Sequence, residues 1–422
     1  MIANKGRAVP LGEKIEPSSC ALVVVDVQND FCHPDGLHQT MGEDLSRMPA
    51  MVAQLEKLVA AARKANILIV WVRATYEELL QGPPMAEVLA KGSGTCARYA
   101  DGSWGADWFG NIRPQDRPNE IVVSKHRASA FWDTPIDLYL RSNGISTIVV
   151  AGVATSGCVE STVRDAFFRN YYVVLAGDCC GDYALERHEY ALRKLGTMFG
   201  VTEPSAAIVE TWAKGHNTQR NWQPAVKADG PGIALPGTAL VLVDLQADLC
   251  DPAGALALAG GDIAANRAAV AAAGSLVKAA RGAGVMVVHV HTNHSPLTTM
   301  DGRVPTLCVA GSSGAAAVPS TQQQAGEAVI VKHRASGFVD TGLDLLLRSN
   351  GIRTVVLAGS ASLDGVTATA QHGRMLDYEV VVARDALGTH AANAERTAAW
   401  LTVLDGAFAA FKPAAEIAGA WR

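Results

Sequence analysis

Two stretches of this chain repeat each other almost residue for residue. KHRASAFWDTPIDLYLRSNGISTIVVAG, from Lys125 to Gly152, recurs 207 residues later as KHRASGFVDTGLDLLLRSNGIRTVVLAG, from Lys332 to Gly359, with 20 of 28 positions identical. An internal repeat of this length requires two similar domains. The total of 422 residues agrees, because a single hydrophobic core usually stops growing well below that size. Just beyond the repeat the copies part. The first continues VATSGCVESTVRD, with Cys158, and the second continues SASLDGVTATAQH, with Gly365 in the matching place. The expected organisation is a domain over 1–212, a polar linker containing Gly and Pro over 213–237, ending GPGIALPG, and a second domain over 238–422.

Within each half, short β-branched runs alternate with longer helical patterns. ALVVVD (Ala21–Asp26), ILIVWVR (Ile67–Arg73), IVVSK (Ile121–Lys125), TIVVAG (Thr147–Gly152) and YYVVLA (Tyr171–Ala176) read as strands, with a sixth expected at Ala206–Glu210. Their apolar character is continuous rather than alternating, which is what burial on both faces of a parallel sheet demands. Met51–Lys64 repeats apolar residues at three and four and reads as a crossover helix, with shorter helices at Thr134–Ser142 and Val159–Arg169. The second half offers strands at Ala239–Asp244, Val285–His291, Ala328–Lys332, Arg353–Gly359 and Tyr378–Ala383. The fold class expected is therefore α/β: two tandem three-layer α/β/α domains, each with a mostly parallel, Rossmann-like sheet.

Bulk properties exclude several classes. A formal charge of −5 offers no electrostatic case for nucleic acid or an acidic membrane surface. No apolar run reaches the roughly 18–20 residues that span a bilayer, and MIANKGRAVPLGEKIE lacks the apolar stretch of a signal peptide. Eight cysteines in so long a chain make no dense disulfide framework, so reduced thiols and a cytoplasmic setting are expected.

Groups with chemistry to perform gather beyond the carboxyl ends of parallel strands. Asp26 and Lys125 each end a strand, and Cys158 follows Gly152 by a short loop. From the residues alone, Cys158 is equally a small buried hydrophobe at a helix start, Asp26 a cap and Lys125 an exposed strand-end charge.

The strings VVVDVQNDF around Asp26, VVSKHRASAFWDTPIDLYLRSNGI around Lys125 and VVAGVATSGCVESTVRDAFFRNYYVVLAGD around Cys158 resemble the isochorismatase-like cysteine hydrolases, in order and spacing, over most of Ser19–Pro204. They look closer to the carbamoyl, biuret and ureido amidohydrolases than to nicotinamidases. The segment Lys91–Asp116 resembles an insertion of ureidoacrylate amidohydrolase-like members. The resemblance implies a catalytic Asp26, Lys125 and Cys158, a cis peptide between Val153 and Ala154, and an oxyanion hole from the backbone N–H groups of Ala154 and Cys158. It further implies hydrolysis of a small linear amide, ureido or carbamoyl substrate through a thioester, and a homo-oligomeric assembly. Candidate substrate contacts are Asn29, Phe31, Arg73, Trp104, Phe131, Trp132 and Thr155, each aromatic one being equally suited to packing. No cofactor is expected. Some relatives hold a metal with histidines near the second strand, but ILIVWVRATYEELLQ has none, and His33 and His38 lack the ligand spacing. The second half keeps Asp244 and Lys332 without a nucleophile and reads as a degenerate copy, in which His289, His291 and His294 share no evident ligand pattern. Two other readings differ in kind: cleavage of a vinyl ether, which has no need of Cys158, and a non-catalytic binding or scaffold protein.

Overall fold

The structure is a computed structural model that describes residues 8–76, 78–87, 101–214, 222, 232–233, 235–295, 298, 306–360, 362–389 and 394–422. The chain divides into two compact units, one within residues 4–225 and the other within 226–422. Most of the expected linker lies outside the described residues, as does 91–100 of the expected insertion.

In unit 1 the strands are β1 (Cys20–Val25), β2 (Leu68–Ala74), β3 (Glu120–Lys125), β4 (Thr147–Val153), β5 (Tyr172–Gly181) and β6 (Val201–Glu203), and they form one sheet in the order β3-β2-β1-β4-β5-β6. Every pairing is parallel. The longer helices are α1 (Met48–Lys64), α2 (Ile136–Ser142), α3 (Glu160–Phe168), α4 (Leu185–Met198) and α5 (Ser205–Lys214).

The continuous apolar strands follow from this layering. Along β1, Cys20, Leu22 and Val24 belong to one buried cluster with Met48, Met51, Leu55, Leu58 and Ala62 of α1 and Ile208 and Trp212 of α5. The alternate residues Ala21, Val23 and Val25 belong to a second cluster with Ile136 and Leu140 of α2, Val163 and Ala166 of α3, and Leu195 of α4. A strand of period two thus serves two cores, and every position must be apolar. The α1 positions recur at three and four, so one stripe faces the sheet. Leu55 is wholly buried in that stripe, and its truncation to alanine would cost about 2–5 kcal/mol.

Ala206–Glu210, expected as a strand, lies inside α5. The Asp178 carboxylate on β5 accepts the Ser205 N–H and hydroxyl, both at 2.7 Å, and fixes the start of that helix. A five-residue apolar run does not distinguish the two states, and the sixth strand is the three-residue Val201–Glu203.

Unit 2 has β7 (Thr238–Val243), β8 (Met286–Thr292), β9 (Ala328–Lys332), β10 (Thr354–Gly359), β11 (Glu379–Leu387) and β12 (Ala410–Lys412) in the equivalent parallel order β9-β8-β7-β10-β11-β12. Its helices include α6 (Ala264–Gly282), α7 (Leu343–Ser349) and α8 (Thr367–Met375). Alternation along β7 divides Leu240 and Leu242 from Ala239, Val241 and Val243, again between two cores. Both units are three-layer α/β/α domains, as the sequence predicts.

Candidate active site

The ends of β1, β3 and β4 bring Asp26, Lys125 and Cys158 together, with β2 between β3 and β1. Just past β1 the backbone turns at Asp26 with φ +53°, a left-handed conformation that Asp tolerates better than most residues. Lys125 is the last residue of β3. Its Nζ lies 2.7 Å from Asp26 Oδ2, and neither side chain has measurable exposure. An ammonium has three hydrogens to give. Beyond the ion pair, Lys125 donates to the Arg127 carbonyl at 3.1 Å and to Cys158 Sγ at 3.3 Å. The Asp26 carboxylate is also approached by the Cys158 thiol and the Ala74 backbone N–H.

Burial raises the Asp26 carboxyl above its ordinary value, against the pull of Lys125. Burial alone would discharge Lys125, but Asp26 and Cys158 beside it hold the ammonium firmly protonated. Cys158 keeps partial exposure as a residue. Its thiol is nonetheless pushed up to about 12, by burial first, with Lys125 opposing and Asp26 adding to the rise. Two acidic groups thus compete for one cation, and a single proton lies between them.

The loop that presents Cys158 is built for position. Gly152 of β4, at φ +122°, passes β1 so closely that a Cβ there would meet the Val25 carbonyl oxygen at 2.0 Å. The Val153–Ala154 peptide is cis, as the resemblance implies. Thr155–Val159 form a π turn running into α3. Ser156 N–H donates to Asp182 Oδ2 at 2.7 Å, and Thr155 Oγ1 lies 2.8 Å from His188 Nδ1 and 2.9 Å from the Gly181 carbonyl, to which it donates. Burial lowers the pKa of His188. Beyond this loop lies a cavity of about 320 Å³ whose walls include Arg47, Met51, Gln54, Asp182 and His188. None of Asp26, Lys125 and Cys158 lines it, so the chemistry is not there.

The remaining candidates separate by place. Asn29 is buried and donates to the Trp104 carbonyl at 2.8 Å, tying the turn after β1 to the 101–116 segment. Phe31 stacks on His38, which stacks in turn on Tyr183, so that histidine belongs to an aromatic pile. His33 meets the Trp104 ring edge-on. Arg73 donates to Ser124 Oγ at 3.0 Å and pairs with Asp101 at 3.0 Å. Trp104 and Trp132 are more than half exposed. Phe131 lies in the core against Tyr171, under the Arg169 guanidinium. Thr155 faces His188 and β5. His126 Nδ1 contacts the Thr75 carbonyl and ties the end of β3 to the end of β2. Among the described residues no group of three or more His, Cys, Asp or Glu is arranged to hold a metal ion, and no helix is long and apolar enough to cross a membrane.

Sequence reasoning overlooked Gln28. Its amide donates to the Ala74 and Ala106 carbonyls at 3.0 and 2.8 Å and accepts from Ala74 N–H at 2.8 Å. The signal was present, because DVQ in the first half recurs as DLQ in the second. Asp182 and His188 carried no comparable signal.

Unit 2 keeps the ion pair, Lys332 Nζ lying 2.9 Å from Asp244 Oδ2. His289 is not disposed toward that site: it contacts Glu327 at 2.8 Å, which also pairs with Arg281 at 2.7 Å. In unit 1 the same device is Trp71 on Glu120 at 2.9 Å, with Arg63 at 2.8 Å.

A sequence model of the Isochorismatase domain matches residues 20–207 and again 238–411. Ureidoacrylate amidohydrolase RutB of Methylobacterium radiotolerans is 33% identical over 212 residues, covering 46% of this chain and 80% of its own length. Among solved structures, a cysteine hydrolase from Pseudomonas syringae pv. phaseolicola is 24% identical, with 50% of this chain and 100% of that one covered and a TM-score of 0.44. The N-carbamoylsarcosine amidase of Thermoplasma acidophilum is 27% identical, with 44% and 96% covered and a TM-score of 0.36. With two matching segments that fall one in each α/β/α unit, the chain belongs to the isochorismatase domain family and carries that domain twice.

Proposed function

We propose that unit 1 is a cysteine amidohydrolase that cleaves the C–N bond of a small linear amide, ureido or carbamoyl compound. The observation that carries this reading is the buried Asp26–Lys125 pair with Cys158 Sγ 3.3 Å from the lysine. A thiol attacks as its thiolate, and with its pKa near 12 Cys158 needs a base at the moment of attack. Asp26 is that base. Its raised pKa makes it a better acceptor than an ordinary carboxylate, and the ammonium of Lys125 compensates the thiolate as it forms. Sulfur adds to the carbonyl carbon. The N–H groups of Ala154 and Cys158 receive the oxyanion, where one such donor is typically worth about 3 kcal/mol. Protonated Asp26 then gives its proton to the departing nitrogen, leaving a thioester on Cys158 and free ammonia or amine. Water, with Asp26 again as base, hydrolyses the thioester and restores the thiol. Gly365 brings no atom able to form a thioester, so each chain carries one acylation site, on Cys158.

Likeness to a ureidoacrylate amidohydrolase supports the substrate class. Release of ammonia or amine would be measured for a panel of ureidoacrylate, carbamoyl amino acids, biuret, maleamate and nicotinamide, with wild-type chain and Cys158→Ala in parallel. Turnover of a linear amide that disappears in the variant supports the reading. Turnover that survives Cys158→Ala, or a wild-type chain inert on the whole panel, overturns it.

A further inference from the structure

The two units place different residues at one register position, and the difference falls on the charge pair. Ala74 closes β2 and is the strand partner of Lys125, while Thr292 closes β8 and is the strand partner of Lys332. The N–H of each is held by a glutamine, Gln28 at 2.8 Å and Gln246 at 2.9 Å. The two residues are therefore structural counterparts, and Thr292 brings a hydroxyl where unit 1 has a methyl group.

That hydroxyl does two things. It accepts from Lys332 Nζ at 2.6 Å and donates to Asp244 Oδ1 at 2.7 Å. Lys332 spends its three hydrogens on Asp244, Thr292 and, at 3.4 Å, the Arg334 carbonyl. Lys125 spends its hydrogens on Asp26, the Arg127 carbonyl and the Cys158 sulfur. The threonine oxygen thus takes a hydrogen of the lysine, as the thiol sulfur does in unit 1, and offers its own proton to the carboxylate. Asp244 Oδ1 also accepts the Thr292 N–H at 3.1 Å, as Asp26 takes a bond from the Ala74 backbone, so the hydroxyl is the donor that unit 2 adds. The satisfied carboxylate in unit 2 occupies the space a nucleophile would need, since a Cβ on Gly365 would meet Asp244 Oδ2 at 2.4 Å.

We infer that Ala74 is a positioning residue for the Cys158 chemistry: without a hydroxyl at the end of β2, the Asp26–Lys125 pair acts on the thiol, and Thr292 in unit 2 closes the corresponding pair upon itself. The inference rests on the amidohydrolase reading, because a positioning role presupposes a reaction. A residue with no functional group is thus a condition of catalysis. Loss of the cysteine and gain of the threonine are two halves of one silencing, and restoring Cys at 365 alone does not undo it.

The test compares Ala74→Thr with Ala74→Val in the full chain. Valine has the same branching and nearly the same volume but no hydroxyl, and circular dichroism and thermal unfolding confirm that each variant is folded. The substrate-independent readout is the rate of Cys158 alkylation by iodoacetamide against pH; the second is kcat and KM on an amide that the wild-type chain hydrolyses. Ala74→Thr should lower kcat by about 10²-fold or more, the scale of a lost general base, with little change in KM, and slow alkylation at pH 8. Ala74→Val should retain most of both. Equal losses for Thr and Val overturn the inference, because bulk alone would then explain them.

Should Ala74→Thr fail to fold, the reciprocal arm decides. In a Cys158→Ala chain, alkylation at position 365 should be faster for Thr292→Ala with Gly365→Cys than for Gly365→Cys alone, and equal rates overturn the proposal. A wild-type chain inert on amides, with Ala74→Thr still slowing alkylation relative to Ala74→Val, would sink the amidohydrolase reading while supporting the capture of the charge pair by the hydroxyl.

Discussion

Replacing Asp26 by Asn should make Cys158 more reactive toward an alkylating agent and nearly useless as an amidohydrolase nucleophile. Asn matches Asp in size, so the buried site keeps its shape while one negative charge disappears beside a thiol whose pKa that charge helps to raise. Two unit charges about 4 Å apart at an effective dielectric of about 20 interact by about 4 kcal/mol. At about 1.4 kcal/mol per tenfold change in ionisation, that is about 3 pH units. Cys158 is partly exposed, and solvent screening trims the expected shift to about 2. The midpoint for iodoacetamide alkylation should therefore fall from about 12 to about 10. Lys125, deprived of its carboxylate, adds to the fall by favouring the thiolate. Turnover should move the other way, down by about 10²–10⁴-fold, because an amide side chain neither takes the thiol proton nor returns one to the leaving nitrogen. Alkylation is followed by peptide mapping, so that modification of Cys158 is separated from that of buried cysteines such as Cys20 and Cys180. A midpoint that stays near 12 or rises would refute the electrostatic argument, and retained turnover would remove Asp26 from the reaction.

Cys158→Ala should abolish turnover with the fold intact, and mass spectrometry with a slowly hydrolysed substrate should find one acyl adduct per wild-type chain, on Cys158. A second stoichiometric adduct in unit 2 would contradict the silence of that unit. Lys125→Met should cost about 3–5 kcal/mol of stability, since it leaves a buried carboxylate without its counter-charge. The loss should depend on pH in a fixed sense. Asp26 already has a folded pKa above its unfolded one, so the folded state binds the extra proton and stability falls as pH rises from about 4 upward through the folded value. Removing Lys125 lifts the folded value further, so urea denaturation should show a larger deficit at pH 8 than at pH 5, and the opposite order would overturn the assignment. Asp182→Ala removes the acceptor of Ser156 N–H and should lower kcat by about 10–100-fold through a displaced nucleophile loop. Unchanged kcat would show that the loop holds itself.

Much of this fold is legible in the sequence because its strands are buried twice over: VVV in β1 and VVA in β4 admit few other arrangements. Asp26, Lys125 and Cys158 each end or follow such a strand, which puts them at one edge of the sheet, but only the resemblance of their local strings singles them out. What escaped reading depends on contacts between positions whose spacing varies. Asp26 and Asp244 are 218 residues apart, whereas Lys125 and Lys332 are 207 apart, so Ala74 and Thr292 do not align under the shift that makes the repeat visible. The sixth strand differs for another reason: AAIVE has strand-like composition, and its helical state follows from the Asp178 cap on Ser205, 27 residues apart in sequence.

Gln28 and its counterpart Gln246 have a consequence for how such a domain can change over time. Each reaches the strand residue 46 positions onward. Each also reaches a carbonyl in the following segment, 78 positions onward for Gln28 and 69 for Gln246. The chain between the two anchoring points thus differs in length between the units by 78 − 69 = 9 residues, with the attachment unaltered. An amide clamped at both ends makes the strand end a docking port, onto which inserts of different length and chemistry can be exchanged without re-solving the geometry beneath them. Segments grafted between these points from other family members should be accepted by the scaffold, which would let this stretch diversify while the charge pair stays fixed.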